Sequence, residues 1–256
     1  MRVPTKLLYP KDYSVNDELD WRHQQVATVT KRVVNHSLGI EIPEGSAMYT
    51  VSETKLNKKT LTFPIPNATA VFLKSAKVAN DKANKFRLAS KIDKTSQKSV
   101  TFNSTEDAFE YLEFKIQAVV MAFTAIEAFL NETIPDSYEH WHNKSSDIIL
   151  EKSEKKEIER RFSTDDKLLT VLPKSLNLDS PKGKREWTSY RRLKKLRDRF
   201  VHMKSVDRRT TEEKTETIWD ALIKSDPAHA QALDIISYFI KAMQDKPRWY
   251  QLYGRK

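Results

Sequence analysis

Between residues 105 and 131, apolar side chains recur every three or four positions: Phe109, Leu112, Ile116, Val119, Val120, Phe123, Ile126 and Leu130. That spacing draws one continuous apolar face along a long helix, and such a face must be buried against other elements. Ser104 or Thr105 is placed to cap the helix, Glu106 and Asp107 favour its first turn, and it stops near Thr133, ahead of Pro135. Its most apolar stretch, AVVMAFTAIEAFL (118–130), is short and interrupted by Glu127, so it reads as a buried helix and no membrane span is expected. Helical patterns continue downstream. They predict a helix over 145–162, a short helix over 165–172 capped by Ser163 or Thr164, and a loop with Pro173, Pro181 and Gly183. A long helix follows from Lys184 to His202 or Met203, then a polar stretch over 206–215 and a shorter helix ending near Lys224. The last helix spans 228–243, with Ala232, Leu233, Ile235, Ile236, Phe239, Ile240 and Met243 on one face.

Residues 1–103 read differently. They are rich in Thr, Val, Lys, Asn and Pro, and short alternating runs such as MYTVS (48–52) and TLTFPI (60–65) flank Asn57-Lys58-Lys59. These predict strands joined by a turn, with Pro64 tolerated only at an edge. The stretch 68–79 fits helix or strand equally. The expected fold is therefore mainly α: an antiparallel helical bundle over 104–256, preceded by a less regular, β-containing region over 1–103 of unknown role. A length of 256 residues suits one or two domains.

Composition narrows the chemistry. There is no cysteine, which removes disulfides, thiolate nucleophiles and cysteine-ligated metals and fits a reducing, cytoplasmic setting. Residues 1–10 (MRVPTKLLYP) lack the apolar core of a secretory signal. Only 4 glycines are present, and neither common glycine-rich nucleotide motif occurs. No cofactor is expected. His140, Trp141 and His142 suggest metal ligands, but adjacent histidines on a loop without an evident third ligand read as surface residues, so no metal is expected either.

The formal net charge is +10, and residues 182–209 hold twelve basic residues against Glu186, Asp198 and Asp207. Uncompensated charge in one helix repels itself, so a polyanion is the natural partner. Arg191, Lys194, Lys195, Arg199 and Lys204 are the candidate RNA contacts, set on faces other than the Trp187, Tyr190, Leu193, Leu196, Phe200, Met203 stripe, which must pack. The tail PRWYQLYGRK (247–256) could stack on single-stranded RNA, although packing back onto the bundle is the expected arrangement.

The basic helix ends in LRDRFVH (196–202). Arg197 precedes His202 by five positions. Asp198 precedes it by four, on the same face, where its carboxylate could fix the imidazole tautomer. An Arg fork suits phosphate oxygens, and a histidine can take a proton from a 2′-hydroxyl, so the pair can cleave RNA without a metal. LRDRFVH, after a Trp-containing helix, resembles the R-x4-6-H motif of the HEPN superfamily. AVVMAFTAIEAFLNE (118–132) is similar to the long helix of that family, and STDDKLLTVLP (163–173) to its connecting helix.

The resemblance covers about 105–202 and implies a helical bundle that dimerises, joining two such motifs in one cleft. It implies a metal-independent endoribonuclease acting as a toxin or anti-phage effector, with an antitoxin or regulatory partner protein. Carried over by position, Arg197 and His202 would be catalytic, Asp198 would fill the polar slot after the Arg, and Glu127 would be the acidic residue facing the site. Glu127 and Asn131 can equally satisfy buried donors within the bundle. Some members of the superfamily are inactive, so a silent RNA- or protein-binding module is the alternative. A basic DNA-binding protein is disfavoured by the lack of helix-turn-helix spacing.

Overall fold

A computed structural model describes residues 6–8, 20–35, 39–44, 47–86, 88–92, 98–143, 150–208 and 216–253. The chain divides into two compact units, one made of residues 1–71 with 245–256 and the other of residues 72–244. This division places residues 72–103 with the helical segment that follows them and the C-terminal segment with the N-terminal one.

The first unit is built on β1 (Lys6–Leu8), β2 (Gln25–Thr28), β3 (Val33–Asn35), β4 (Ile40–Ile42), β5 (Ala47–Leu56) and β6 (Lys59–Pro64). β5 pairs antiparallel with β1, β2 and β6, while β3 and β4 form their own hairpin. The β5–β6 turn rests on Asn57 and Lys58, both left-handed with φ of 49° and 65°. Two left-handed residues give the tight turn whose twist matches the flanking strands. Pro64 pairs with Val51 at the end of the β5–β6 ladder.

α1 (Ala68–Ala83) follows, its first turn capped by the Asn67 side chain, which accepts the Ala70 N–H at 2.9 Å. Ala70, Leu73, Ala76, Ala79 and Ala83 are all buried. That face is helical in spacing but mostly methyl groups, which is why the sequence pattern leaves it undecided. The C-terminal segment, expected to fold back onto the bundle, groups with the first unit. α9 (Arg248–Leu252) buries Trp249 in the first unit, the Arg248 guanidinium lies over the Tyr49 ring at 5.4 Å, and Tyr253 meets Trp21 edge-on at 5.6 Å.

In the second unit, the β7 (Leu88–Ile92) and β8 (Lys98–Phe102) hairpin leads into α2 (Thr105–Thr133). Ser104 caps α2 by accepting the Asp107 N–H at 3.0 Å. Its buried face runs from Ala118 through Phe123 and Ile126 to Leu130, while Phe109 stays exposed, so the stripe is buried only in its C-terminal half.

The helix expected over 145–162 is replaced by a hairpin. β9 (Glu139–Asn143) pairs with β10 (Leu150–Glu154), and only α3 (Lys155–Arg161) is helical; residues 145–149 lie outside the described residues. The sequence from Leu150 to Arg161 consists mostly of helix formers, but its first five residues are taken by cross-strand pairing, including Lys152 with Glu139 at 2.8 Å. Long-range pairing overrides a weak local preference.

Ser163 caps the next helical run by accepting the Asp166 N–H at 3.1 Å. The run comprises α4 (Thr164–Asp166), a π turn over Lys167–Val171 and α5 (Leu172–Leu176), and it ends at left-handed Asn177. The helix therefore continues past Pro173, which sits just after the wide turn. The Leu172 N–H reaches back to the Lys167 carbonyl there, a register in which the missing Pro N–H is absorbed.

α6 (Arg185–Val201) ends at His202, a 3-10 turn spans Ser205–Arg208, and α7 (Ile218–Ile223) opens with a Thr217–Asp220 capping box. Arg209 and the rest of the polar stretch to 215 lie outside the described residues. α8 (Ala228–Ile240) buries Ala232, Ile235, Ile236, Phe239 and Ile240. The core is closed by α2, α6 and α8, with Phe123 stacked on Tyr190 at 6.1 Å and Phe129 against Phe239 at 6.4 Å. The architecture is mainly α with a small antiparallel sheet near the N-terminus. Among the described residues no helix is long and apolar enough to cross a membrane.

Candidate functional site

α6 buries Tyr190, Leu193 and Leu196 and leaves the basic side chains on its other faces, as its three-and-four spacing requires. Near its end, Arg197 turns toward α2. Its Nη1 donates to Asp198 Oδ1 at 2.9 Å and its Nη2 to Glu127 Oε1 at 3.2 Å, and the guanidinium carbon lies 3.9 Å from the Phe123 ring centroid. Stacking a planar cation on an aromatic face holds it while leaving its edge directed outward. Glu127 also accepts from Thr164 Oγ1 at 3.3 Å. Glu127, Arg197 and Asp198, picked out by the resemblance, are therefore brought together.

His202 follows α6 and is exposed, with its backbone N–H donating to the Asp198 carbonyl at 2.9 Å. The expected Asp198–His202 side-chain bond is not formed. The carboxylate is engaged by Arg197, and among the described residues none hydrogen-bonds the His202 imidazole. Arg197 and His202 nonetheless line one cavity of about 530 Å³, together with Glu127, Asn131 and Lys167.

Lys167 of this cavity escaped sequence reasoning. Asn131, weighed there as a residue that satisfies a donor within the bundle, lies one turn beyond Glu127 on α2 and accepts from Lys167 Nζ at 3.0 Å, and Lys167 also donates to the Glu159 carbonyl at 3.0 Å. Lys167 is buried at 7% exposure. Burial pushes its ammonium below the usual lysine range, while Glu127 and Glu159 pull it back up. The one available signal was a lysine in step with Val171 on the apolar side of STDDKLLTVLP. Beside it, Asp165 accepts from the Tyr190 hydroxyl and from Lys194 Nζ at 2.7 Å. Burial would raise the Asp165 carboxyl, but Lys194, Tyr190 and Arg191 hold it below the usual carboxylate range. The Tyr190 phenol is pushed far up by burial and by that carboxylate.

A second cavity, of about 760 Å³, shares Lys194, Asp198 and His202 with the first and is lined further by Arg191, Lys195 and Lys204. Arg191, Lys195 and Lys204 are exposed and form no ion pair among the described residues. Arg199 lines this cavity as well, but its guanidinium is bound to Asp207, whose side chain is fully buried, so it also ties the chain together. Lys194 is likewise held by Asp165.

His140 and His142 sit on β9, not on a surface loop. His140 is buried, and both rings meet the edge of Phe162 while stacking on each other at 5.8 Å. Compared with family models, with curated proteins and with solved structures, the chain matches none.

Proposed function

We propose that the chain is a metal-independent endoribonuclease of HEPN type, cleaving RNA as a homodimer and serving as a toxin or anti-phage effector under the control of a partner protein. The observation that carries this reading is the shared cavity, lined by a guanidinium and by an exposed imidazole that has no hydrogen-bond partner among the described residues, beside a basic surface. His202 takes the proton from a ribose 2′-hydroxyl. The freed oxygen attacks phosphorus, the P–O5′ bond breaks, and the leaving oxygen is reprotonated. Arg197 stabilises the charge that develops on the non-bridging oxygens. One imidazole serves as base or as acid at a given moment, so a second copy of the site supplies the other role. The exposed Val201 and Met203 beside His202 give such a pairing apolar surface.

The expected result is cleavage of RNA in EDTA, leaving 2′,3′-cyclic phosphate and 5′-hydroxyl ends, by a protein that sediments as a dimer. His202→Ala changes an exposed side chain and should fold normally, yet lower the rate by about 10²–10⁴-fold. Full activity in that variant overturns the assignment. In cells, expression should arrest growth and Arg197→Ala should relieve the arrest.

One observation favours the silent binding module. Both terminal nitrogens of Arg197 are engaged by carboxylates, leaving the guanidinium neutralised in the free chain. That reading predicts salt-sensitive RNA binding without turnover.

A further inference from the structure

Glu127 and Asn131 are one turn apart on α2, and each holds a cation from a different element: Glu127 holds Arg197 of α6, and Asn131 holds Lys167 of the π turn. Both cations line the same cavity. The Glu127 carboxylate acts on both. It accepts from Arg197, and its charge favours the ammonium form of Lys167. Its own bonds are long, 3.2 Å from Arg197 and 3.3 Å from Thr164, and its side chain is 43% exposed. Asp198, by contrast, holds Arg197 at 2.9 Å. A loosely held, solvent-reachable anion beside two cations is one that a stronger anion can displace.

Lys167 is costly to bury, and its two hydrogen bonds among the described residues are to neutral oxygens of Asn131 and Glu159. An ammonium has three N–H donors, so a third remains for a ligand in the cavity. The π turn begins at this residue, and such turns re-aim side chains within a helix.

We propose that Lys167 and Arg197 form a pair of cations that grips one phosphoryl group, with the Glu127 carboxylate standing in for that group in the free chain. This deepens the ribonuclease reading and rests on it only for naming the ligand as a phosphodiester of RNA. Glu127 is then a competitor of the substrate, and displacing it releases Arg197 Nη2 for the phosphate oxygens.

The test uses the full chain and two uncleavable probes: a 2′-O-methyl dinucleoside monophosphate, which has a single charged phosphate, and its neutral methylphosphonate twin. Binding is followed at low salt. The wild-type protein should prefer the charged probe. Lys167→Met should weaken that probe about tenfold and leave the neutral twin unchanged, Lys167→Arg should restore most of the loss, and Glu127→Gln should tighten the charged probe. Equal loss on both probes in Lys167→Met, no preference in the wild type, or weaker binding in Glu127→Gln overturns the proposal. Should Lys167→Met fail to fold, Glu127→Gln decides alone, because it exchanges a half-exposed group for one of the same shape. The all-ribose form of the probe is assayed for cleavage in parallel. Its survival with wild-type protein defeats the nuclease reading, while the binding results still decide the phosphate pair.

Discussion

His140 shows how a single side chain links burial to pH. Burial lowers its pKa from the usual histidine value of about 6.5, the charges of Lys174 and His142 lower it further, and Asp166 opposes them. The His229 imidazole is lowered too, by burial first, with Asp81 opposing. Below about pH 6.5 the unfolded chain therefore binds protons that the folded chain refuses, so stability is full above that value and falls as the pH drops toward the depressed folded value. The Asp207, Asp165 and Asp136 carboxyls are lowered too, which for an acid favours the charged form, and the stability they give is lost at lower pH, as the pH falls through the usual carboxylate range toward their depressed folded values. Melting temperature should accordingly fall between pH 7.5 and 5.5, and His140→Gln should shrink that fall without abolishing it, since His229 remains. An unchanged fall in the variant would show that His140 carries none of the pH dependence. The types of residue at the site were legible from sequence, but their partners were not. LRDRFVH supplies two arginines two positions apart, and only the fold decides that Arg197 faces the cavity while Arg199 turns to Asp207.

At the scale of elements, the end of α6 is anchored by one buried carboxylate. Asp207 accepts from Arg199 and from the Ile218 N–H at 2.9 Å, and its carbonyl accepts from Trp219 Nε1 at 2.9 Å. It thereby joins the C-terminal part of α6, the 3-10 turn and the start of α7. Burial would raise this carboxyl, but the Ile218 N–H, Arg199 and the Lys204 N–H outweigh it and hold its pKa low. Removing it strands a guanidinium and a backbone donor, so Asp207→Ala should cost about 3 kcal/mol. Hydrogen exchange should rise first in α7 and at His202. Uniform exchange across the second unit would instead place the loss in the core.

α2, α6 and α8 were legible because large apolar residues mark their faces at every turn. α1 was not, because its buried face is mostly alanine and carries little hydropathy contrast. Residues 150–154 were misread because helix-forming Glu and Lys are recruited to a strand by a partner they meet only on folding. The boundary at 71/72 and the return of residues 245–256 to the first unit leave no mark on local pattern at all, since both depend on which surfaces meet.

For the molecule as a whole, the +10 charge matters through where it stays uncompensated. On α6 the nominal basic face shrinks once its partners are counted: Arg197, Arg199 and Lys194 are bound to carboxylates, and Arg192 lies 3.6 Å from Asp226. Arg191 and Lys195 remain on the helix, joined by Lys204 just beyond it, all exposed and all on the second cavity. These three can replace counterions on a nucleic-acid backbone, and each phosphate neutralised on a single strand contributes about 0.7 to the slope of log affinity against log salt. Changing all three to Gln should therefore lower the slope for single-stranded RNA by about 2, weaken binding similarly across sequences, and leave the fold in place, since none forms an ion pair among the described residues and Arg191 alone loses a ring contact, with Trp187 at 5.8 Å. Arg199→Gln should behave in the reverse manner, lowering the melting temperature while leaving the slope nearly unchanged. A slope that responds to Arg199 and ignores the exposed trio would move the RNA path away from this face of α6, and with it the route by which a strand reaches Arg197 and His202.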